Sequence, residues 1–310
     1  METSCARAVA QKLGLKWTTV AGSPLDRSDM MWVSDLKQAH VPAYTGWARP
    51  FFSKIVSDNP RGAVYFSGDG GDKTLPAIQP SRSFGSIEAL AAFLFEREAI
   101  CDIDIVARLC NQDRSAIESE FCNMLRSYPE TVLSAKIAHF RIYERGFNWL
   151  FEGEDRNRSF LWTGTPFYSL PFFKAAMLIP QSNKRYHRFY RRFMMSLNRD
   201  MANIPDANRG LPISSHKYWL RFAAIGLLER NPRMLSALKR RLRSGAAGRS
   251  ERTLLVAELL LQEIGKCPAG FDCGIDMNYL QSLLRQNRPL SADTLHNFLT
   301  LIMTAGSSRT

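Results

Sequence analysis

Cysteine is scarce: 6 residues in 310 are too few for a disulfide-held scaffold. Long apolar runs are missing too. No stretch reaches the roughly 20 residues needed to span a bilayer, and the N-terminus Met1-Glu2-Thr3-Ser4-Cys5 opens acidic and polar, unlike a secretory signal. Together these absences predict a cytoplasmic protein without a transmembrane segment. Histidine is sparse, and His40, His139, His187, His216 and His296 have no ligand-spaced companions, which argues against a metal-histidine site. Acidic residues fall short of basic ones, 29 against 41, for a net charge of +12 and a pI near 9.6. That balance favours polyanions, whether nucleotide, nucleic acid or an acidic membrane face, and does not choose among them. Repeats and low-complexity tracts are also lacking.

What is present is a foldable chain. At 45% hydrophobic over 310 residues it can bury a real core, as one large domain or a core domain with a helical extension. Cys101, Cys110 and Cys122 read as small apolar residues on helices. Cys267 and Cys273 lack a second ligand pair at zinc-like spacing, so a plain loop is expected there.

The pattern of elements changes along the chain. Cys5 to Gly14 reads as the end of an amphipathic helix closed by glycine, and Leu15 to Val20 reads as a strand. Helices near residues 30–39 and 43–57 follow, then a short strand at 63–66, so the first ~70 residues are predicted to be α/β. From Ser86 onward helical periodicity dominates: Ile87 to Arg97, Ile103 to Cys110, Ser115 to Arg126, Val132 to Phe151 and Tyr186 to Leu197. Pro166, Pro171 and Pro180 mark Leu161 to Pro180 as a structured loop with one short helix. Beyond Ser214 come apolar helices with breaks at Asn231-Pro232, Ser244 to Gly248 and Gly265 to Gly274, and a frayed end from Gly306.

The most informative segment is Ser67-Gly68-Asp69-Gly70-Gly71-Asp72, directly after the apolar run Ala63-Val64-Tyr65-Phe66. A buried strand emptying into a glycine-rich acidic turn is an arrangement that holds phosphate and metal at a strand's carboxyl end. Small side chains let backbone N–H groups approach phosphate oxygens, while Asp69 and Asp72 offer hard oxygen ligands for Mg²⁺. The competing reading is an ordinary surface turn, with glycine supplying positive φ and aspartate bonding its own backbone.

Several segments in this order resemble the synthetase domain of the asparagine synthase family, the N-type ATP pyrophosphatase or adenine nucleotide alpha hydrolase-like fold, over roughly residues 3–220. Cys5 to Gly14 is similar to its Ala-x-x-Val-Ala-x-x-Leu-Gly helix. Val64 to Asp72 is similar to its apolar strand plus Ser-Gly-Glu-Gly-Gly-Asp turn. Glu152 to Arg158 and Thr165-Pro166-Phe167-Tyr168 resemble its Asp-Arg and Pro-Phe-Leu-Asp segments, which precede a Lys/Arg-rich helix represented by Lys184 to Arg192. The resemblance implies an incomplete parallel sheet followed by a large helical C-terminal portion, with the synthetase-like domain at 1–220 and a helical extension at 221–310. It also implies AMP-forming amide ligation: a carboxylate is adenylated by ATP, pyrophosphate leaves, and ammonia or an amine displaces AMP. Carried across, Ser67, Gly68, Gly70 and Gly71 bind ATP, Asp69 takes the acidic position held by Glu, and Asp72 ligates Mg²⁺. Arg209, in Asn208-Arg209-Gly210, stands in for the late Arg-x-Lys cation that meets pyrophosphate.

The departures from that pattern are specific. The Ser-Gly-Gly-x-Asp-Ser pyrophosphate loop belongs before the first helix, where this sequence has no residues, and Ala21 to Ser28 is a poor substitute. The glutamine-hydrolysing domain's N-terminal cysteine is also missing, so the resemblance assigns ammonia supply and the absent loop to a separate glutaminase or complementing chain. Lys73 and Ser169 replace family acids. The alternative of a different class is a catalytically inactive member that binds a nucleotide or a protein.

Three other features carry two readings each. Lys184 to Arg192 interleaves cations with aromatics as nucleic-acid binders do, but Tyr186, Phe189, Phe193 and Leu197 form one apolar stripe, so no specific nucleic-acid partner is predicted. Leu235 to Arg243 reads as a solvated basic face rather than a membrane-lying helix. Glu152, Glu154 and Asp155, beside Arg156 and Arg158, read equally as an acid/base cluster or an ion-pair network.

Overall fold

Short polar side chains write the helix starts. The carboxylates and hydroxyl of Asp26, Ser86, Asp102 and Asp113 accept from Asp29, Ala89, Asp104 and Ser115 N–H at 2.8–3.2 Å. They cap the helices Arg27–Lys37, Ile87–Glu98, Ile103–Leu109 and Arg114–Ser127, each satisfying an amide that the first turn leaves without a partner. A computed structural model describes residues 2–21, 26–80, 82–150, 152–230, 251–268, 274–285 and 290–307. Within them the chain is mainly helical with one small two-stranded parallel sheet, and no helix is long and apolar enough to cross a membrane.

The opening helix, Glu2–Lys12, ends as its glycine demands. Gly14 has φ of +64°, Gly14 N–H bonds Gln11 O at 3.2 Å and Leu15 N–H bonds Ala10 O at 2.9 Å, the paired closure of a Schellman motif. Leu15 to Val20 is not a strand: it carries no regular structure and Leu15 is exposed. A strand needs a neighbour's ladder, and among the described residues the paired strands are β1 (Val64–Phe66) and β2 (Trp162–Gly164), with one isolated bridge between Pro205 and Pro212.

β1 is not the buried strand its composition suggests. Tyr65 packs beside Phe52 while Val64 and Phe66 are exposed, because alternate side chains leave opposite faces and only one face is covered. β2 lies inside the proline-punctuated segment read as a loop, ahead of a short 3₁₀ turn, Pro166–Tyr168, and the helix Leu170–Leu178. The segment expected as one helix over 132–151 changes pitch: Leu133–His139 is α and Phe140–Leu150 is π. The last helix runs Ala292–Ser307, through the point at which fraying was expected. Only Cys122 of the three helical cysteines is buried on a helix; Cys101 precedes a helix and Cys110 is an exposed helix cap. The breaks at 231–232 and 244–248, the basic stretch Leu235 to Arg243, and Cys273 fall outside the described residues.

The chain divides into two compact units, each assembled from three separate segments. The first comprises Met1–Ala21, Phe66–Ser83 and Gly164–Ala246; the second comprises Gly22–Tyr65, Phe84–Thr163 and Ala247–Thr310. The second unit holds the large apolar clusters. In one, Met30, Ala43 and Leu109 pack with Leu260, Leu280, Leu283, Leu295, Leu299 and Ile302. In another, Leu90, Leu94, Leu125 and Ile137 interlock, and Phe52 and Leu161 centre a third. Full burial of each such side chain contributes about 1.5–3 kcal/mol over exposure. Asp155 ion-pairs with the buried Lys37 at 3.1 Å, Arg156 lies 5.4 Å over Trp47, and Glu154 is fully buried, so the ion pair formed at Asp155 reaches a lysine outside the 152–158 segment. The first unit is smaller and holds the glycine-rich turn.

Candidate functional site

The turn leaves β1 and folds on itself at once. Ser67 N–H donates to Gly164 O at 3.0 Å, continuing the pairing with β2. Asp69 N–H donates to Ser67 Oγ at 3.0 Å, Gly71 N–H to Gly68 O at 3.2 Å, and Lys73 and Thr74 N–H to Gly70 O at 3.1 and 2.9 Å. These bonds generate a single helical turn, Gly71–Thr74, and commit four of the local amides internally. The amides of Gly68, Gly70 and Asp72 lie outside that network.

Glycine is required at one position above all. Gly70 has φ of +83°, and a Cβ there would meet the Tyr168 ring at 2.7 Å; at Gly71 it would meet the Phe167 ring at 3.2 Å. The Pro166–Tyr168 turn therefore seats its two aromatic rings directly on the paired glycines. Burial pushes the Tyr168 hydroxyl up to about 12, and the carboxylates of Asp72 and Asp69 add to that shift, as negative neighbours do for a group that becomes an anion. Nothing in the sequence around Phe167 and Tyr168 signals that they roof the turn.

Asp69 and Asp72 are exposed, and Asp72 ion-pairs with Lys73. Thr74 Oγ1 donates to Gly70 O at 2.8 Å, and Thr74 O accepts from Lys184 Nζ at 2.6 Å. Lys184 is fully buried, and burial pulls its ammonium down to about 8. This lysine fastens the start of the basic segment 184–192 to the end of the turn. Three segments far apart in sequence, 67–74, 166–168 and 184, thus meet in one place.

Arg209 sits elsewhere in the same unit's contact network. Its backbone N–H donates to Asp206 Oδ1 at 2.9 Å, its carbonyl accepts from Arg221 at 3.3 Å, and its guanidinium lies 5.4 Å over Phe222. His187 stacks on the same Phe222 ring at 3.7 Å and its Nδ1 is 3.2 Å from Tyr218 Oη. Burial pulls His187 down to about 4, Arg209 adds to the shift and Asp206 opposes it. Tyr186 and His187 both hold left-handed φ, 58° and 57°, a strained pair that no sequence signal announced. Among the described residues no hydrogen bond or ion pair joins Arg209 to Ser67, Asp69 or Asp72.

The donor set fits one kind of ligand better than another. Among the described residues no group of three or more His, Cys, Asp and Glu assembles, so an all-protein metal cage is not built here. Mg²⁺ is ordinarily held by one or two carboxylates plus substrate phosphates, and Asp69 with Asp72 supplies that number, provided Lys73 yields Asp72. No family model, curated protein or solved structure matches the chain.

Proposed function

We propose that the chain is an asparagine-synthase-like, ATP-dependent amide-forming protein whose nucleotide site is the Ser67–Asp72 turn. The observation that carries this reading is the seating of Phe167 and Tyr168 on Gly71 and Gly70, because it joins two of the segments on which the family resemblance rests. Ser67, Gly68, Gly70 and Gly71 would line the phosphates of ATP, Asp69 would occupy the family's acidic position, and Asp72 would hold Mg²⁺. Bound there, the cation offsets charge on the departing pyrophosphate. A substrate carboxylate oxygen attacks the α-phosphorus and the bond to the bridging oxygen breaks, releasing pyrophosphate. An amine nitrogen then attacks the acyl carbon, AMP leaves with the bonding pair, and the nitrogen loses a proton. Arg209 would meet pyrophosphate only after moving off Phe222.

Mg²⁺-dependent ATP binding, followed by calorimetry on the full chain and on Asp72→Ala, tests the site. The reading requires binding that Asp72→Ala weakens about tenfold or more; equal binding by the two proteins removes it. Pyrophosphate release with candidate carboxylates and an amine then tests turnover.

A second reading has its own support. Lys73 already neutralises Asp72 and four turn amides are spent internally, which favours a member that binds a nucleotide or a protein without chemistry. ATP binding with no pyrophosphate release under any carboxylate identifies that case.

A further inference from the structure

A concavity of about 230 Å³ opens in the first unit between the helices Arg188–Leu197 and His216–Arg230. Its wall is made by Arg188, Arg191, Arg192, His216 and Trp219. The spacing explains the convergence: residues 188, 191 and 192 share one helix face, and residues 216 and 219 share one face of the other. Arg191 is anchored, since its Nη2 donates to Ser214 O at 2.8 Å, while its Nε is buried without a hydrogen-bond partner. The Arg188 guanidinium lies 5.5 Å from the Tyr186 ring centre.

Among the described residues no carboxylate lines this hollow. Elsewhere Arg27 pairs with Glu263, Arg114 with Asp104 and Glu118, Arg126 with Glu88, and Arg141 and Arg145 with Glu98. Among the described residues Arg188, Arg191 and Arg192 form no ion pair with a carboxylate. Three guanidinium groups gathered around one hollow repel one another unless an anion joins them. The planar fork of arginine matches phosphate oxygens two at a time, and Trp219 adds aromatic surface beside the charge, the combination that receives a base next to its phosphate.

We propose that this hollow binds a nucleotide phosphate, with the phosphate on Arg188, Arg191 and Arg192 and the base against Trp219. The site is separate from the Ser67–Asp72 turn and needs no divalent cation. Its ligand is either a free nucleotide or a nucleotide within a single strand, since both present the same phosphate and ring.

The test is calorimetric titration of the full chain with AMP, adenosine, inorganic phosphate, a short oligothymidylate and polyglutamate, in chelator at about 0.15 M salt, where exposed charges are screened beyond ~8 Å. AMP or the oligothymidylate should bind, with adenosine and inorganic phosphate weaker by about tenfold or more. Arg188→Ala and Arg192→Ala, both at exposed positions, should each weaken that binding by about tenfold, Arg192→Lys by less. Trp219→Leu should weaken AMP and leave inorganic phosphate unchanged. Asp72→Ala should leave AMP and oligothymidylate binding in chelator as it is while weakening Mg²⁺-dependent ATP binding at the turn, which separates failure here from failure of the turn. Tighter binding of the oligomer than of AMP assigns the site to a single strand; equal or tighter binding of AMP assigns it to the free nucleotide. No binding of either, binding indifferent to both arginine variants, or equally tight binding of polyglutamate overturns the proposal.

Discussion

At the scale of single residues, the glycines of the turn are not interchangeable. Gly68 has open space where a Cβ would point, whereas Gly70 combines φ of +83° with an aromatic ring 2.7 Å from that position. An alanine at 70 must bear a left-handed backbone, about 1–2 kcal/mol, and an overlap with Tyr168, about 1–3 kcal/mol. Gly70→Ala should therefore lower stability by about 2–5 kcal/mol in urea unfolding, while Gly68→Ala should stay within about 1 kcal/mol. Equal effects would mean that Tyr168 does not roof the turn. The same contrast bears on legibility. That glycine matters in Gly68 to Gly71 is readable from the sequence, but which glycine carries the burden depends on a ring nearly a hundred residues away, and no local pattern encodes that.

At the scale of elements, features decided within one turn of backbone were legible and features decided by a distant partner were not. Gly14 ends its helix and Ser86 starts another through bonds to immediate neighbours. Leu15 to Val20 has strand-like composition but no neighbour to pair with among the described residues, and β2 pairs with β1 in spite of a proline-rich context. The π-helical stretch Phe140–Leu150 is likewise set from outside: Arg141 reaches Glu98 at 2.7 Å and Arg145 also pairs with it, tying the stretch to the helix Ile87–Glu98. Burial raises the affinity of Glu98 for a proton, but the two arginines outweigh it and hold the carboxyl below its usual range. A carboxylate whose folded-state value is depressed stabilises the fold above its unfolded value, near 4.5, and loses that contribution as pH falls below it. Glu98→Gln should cost about 1–3 kcal/mol at pH 7 and flatten the acid side of the stability profile. Parallel profiles for the two proteins below pH 5 would show that the pair carries no pH-linked stability.

At the scale of the whole molecule, the late helices belong to a core begun early in the chain. Met277–Arg285 and Ala292–Ser307 supply Leu280, Leu283, Leu295, Leu299 and Ile302 to the cluster that also contains Met30, Ala43 and Leu109. The tie is polar as well as apolar. Ala43 N–H donates to the Thr300 hydroxyl at 2.6 Å and the Thr294 hydroxyl donates to Ile100 O at 2.5 Å. Losing five such side chains removes on the order of 7–15 kcal/mol of burial, as large as the whole stability of an ordinary domain. A chain ending at residue 276 should therefore fail to fold its second unit, which spans Gly22–Tyr65, Phe84–Thr163 and the segment from Ala247. The loss of helical circular dichroism should exceed the share carried by the deleted helices, with dye-binding apolar surface newly exposed. A loss confined to the deleted residues, with the remaining transition still cooperative, would mean that Met30, Ala43 and Leu109 are held without them. None of the first unit's segments reaches beyond Ala246, so resonances from Tyr218 and Trp219 should keep their native shifts in the same protein.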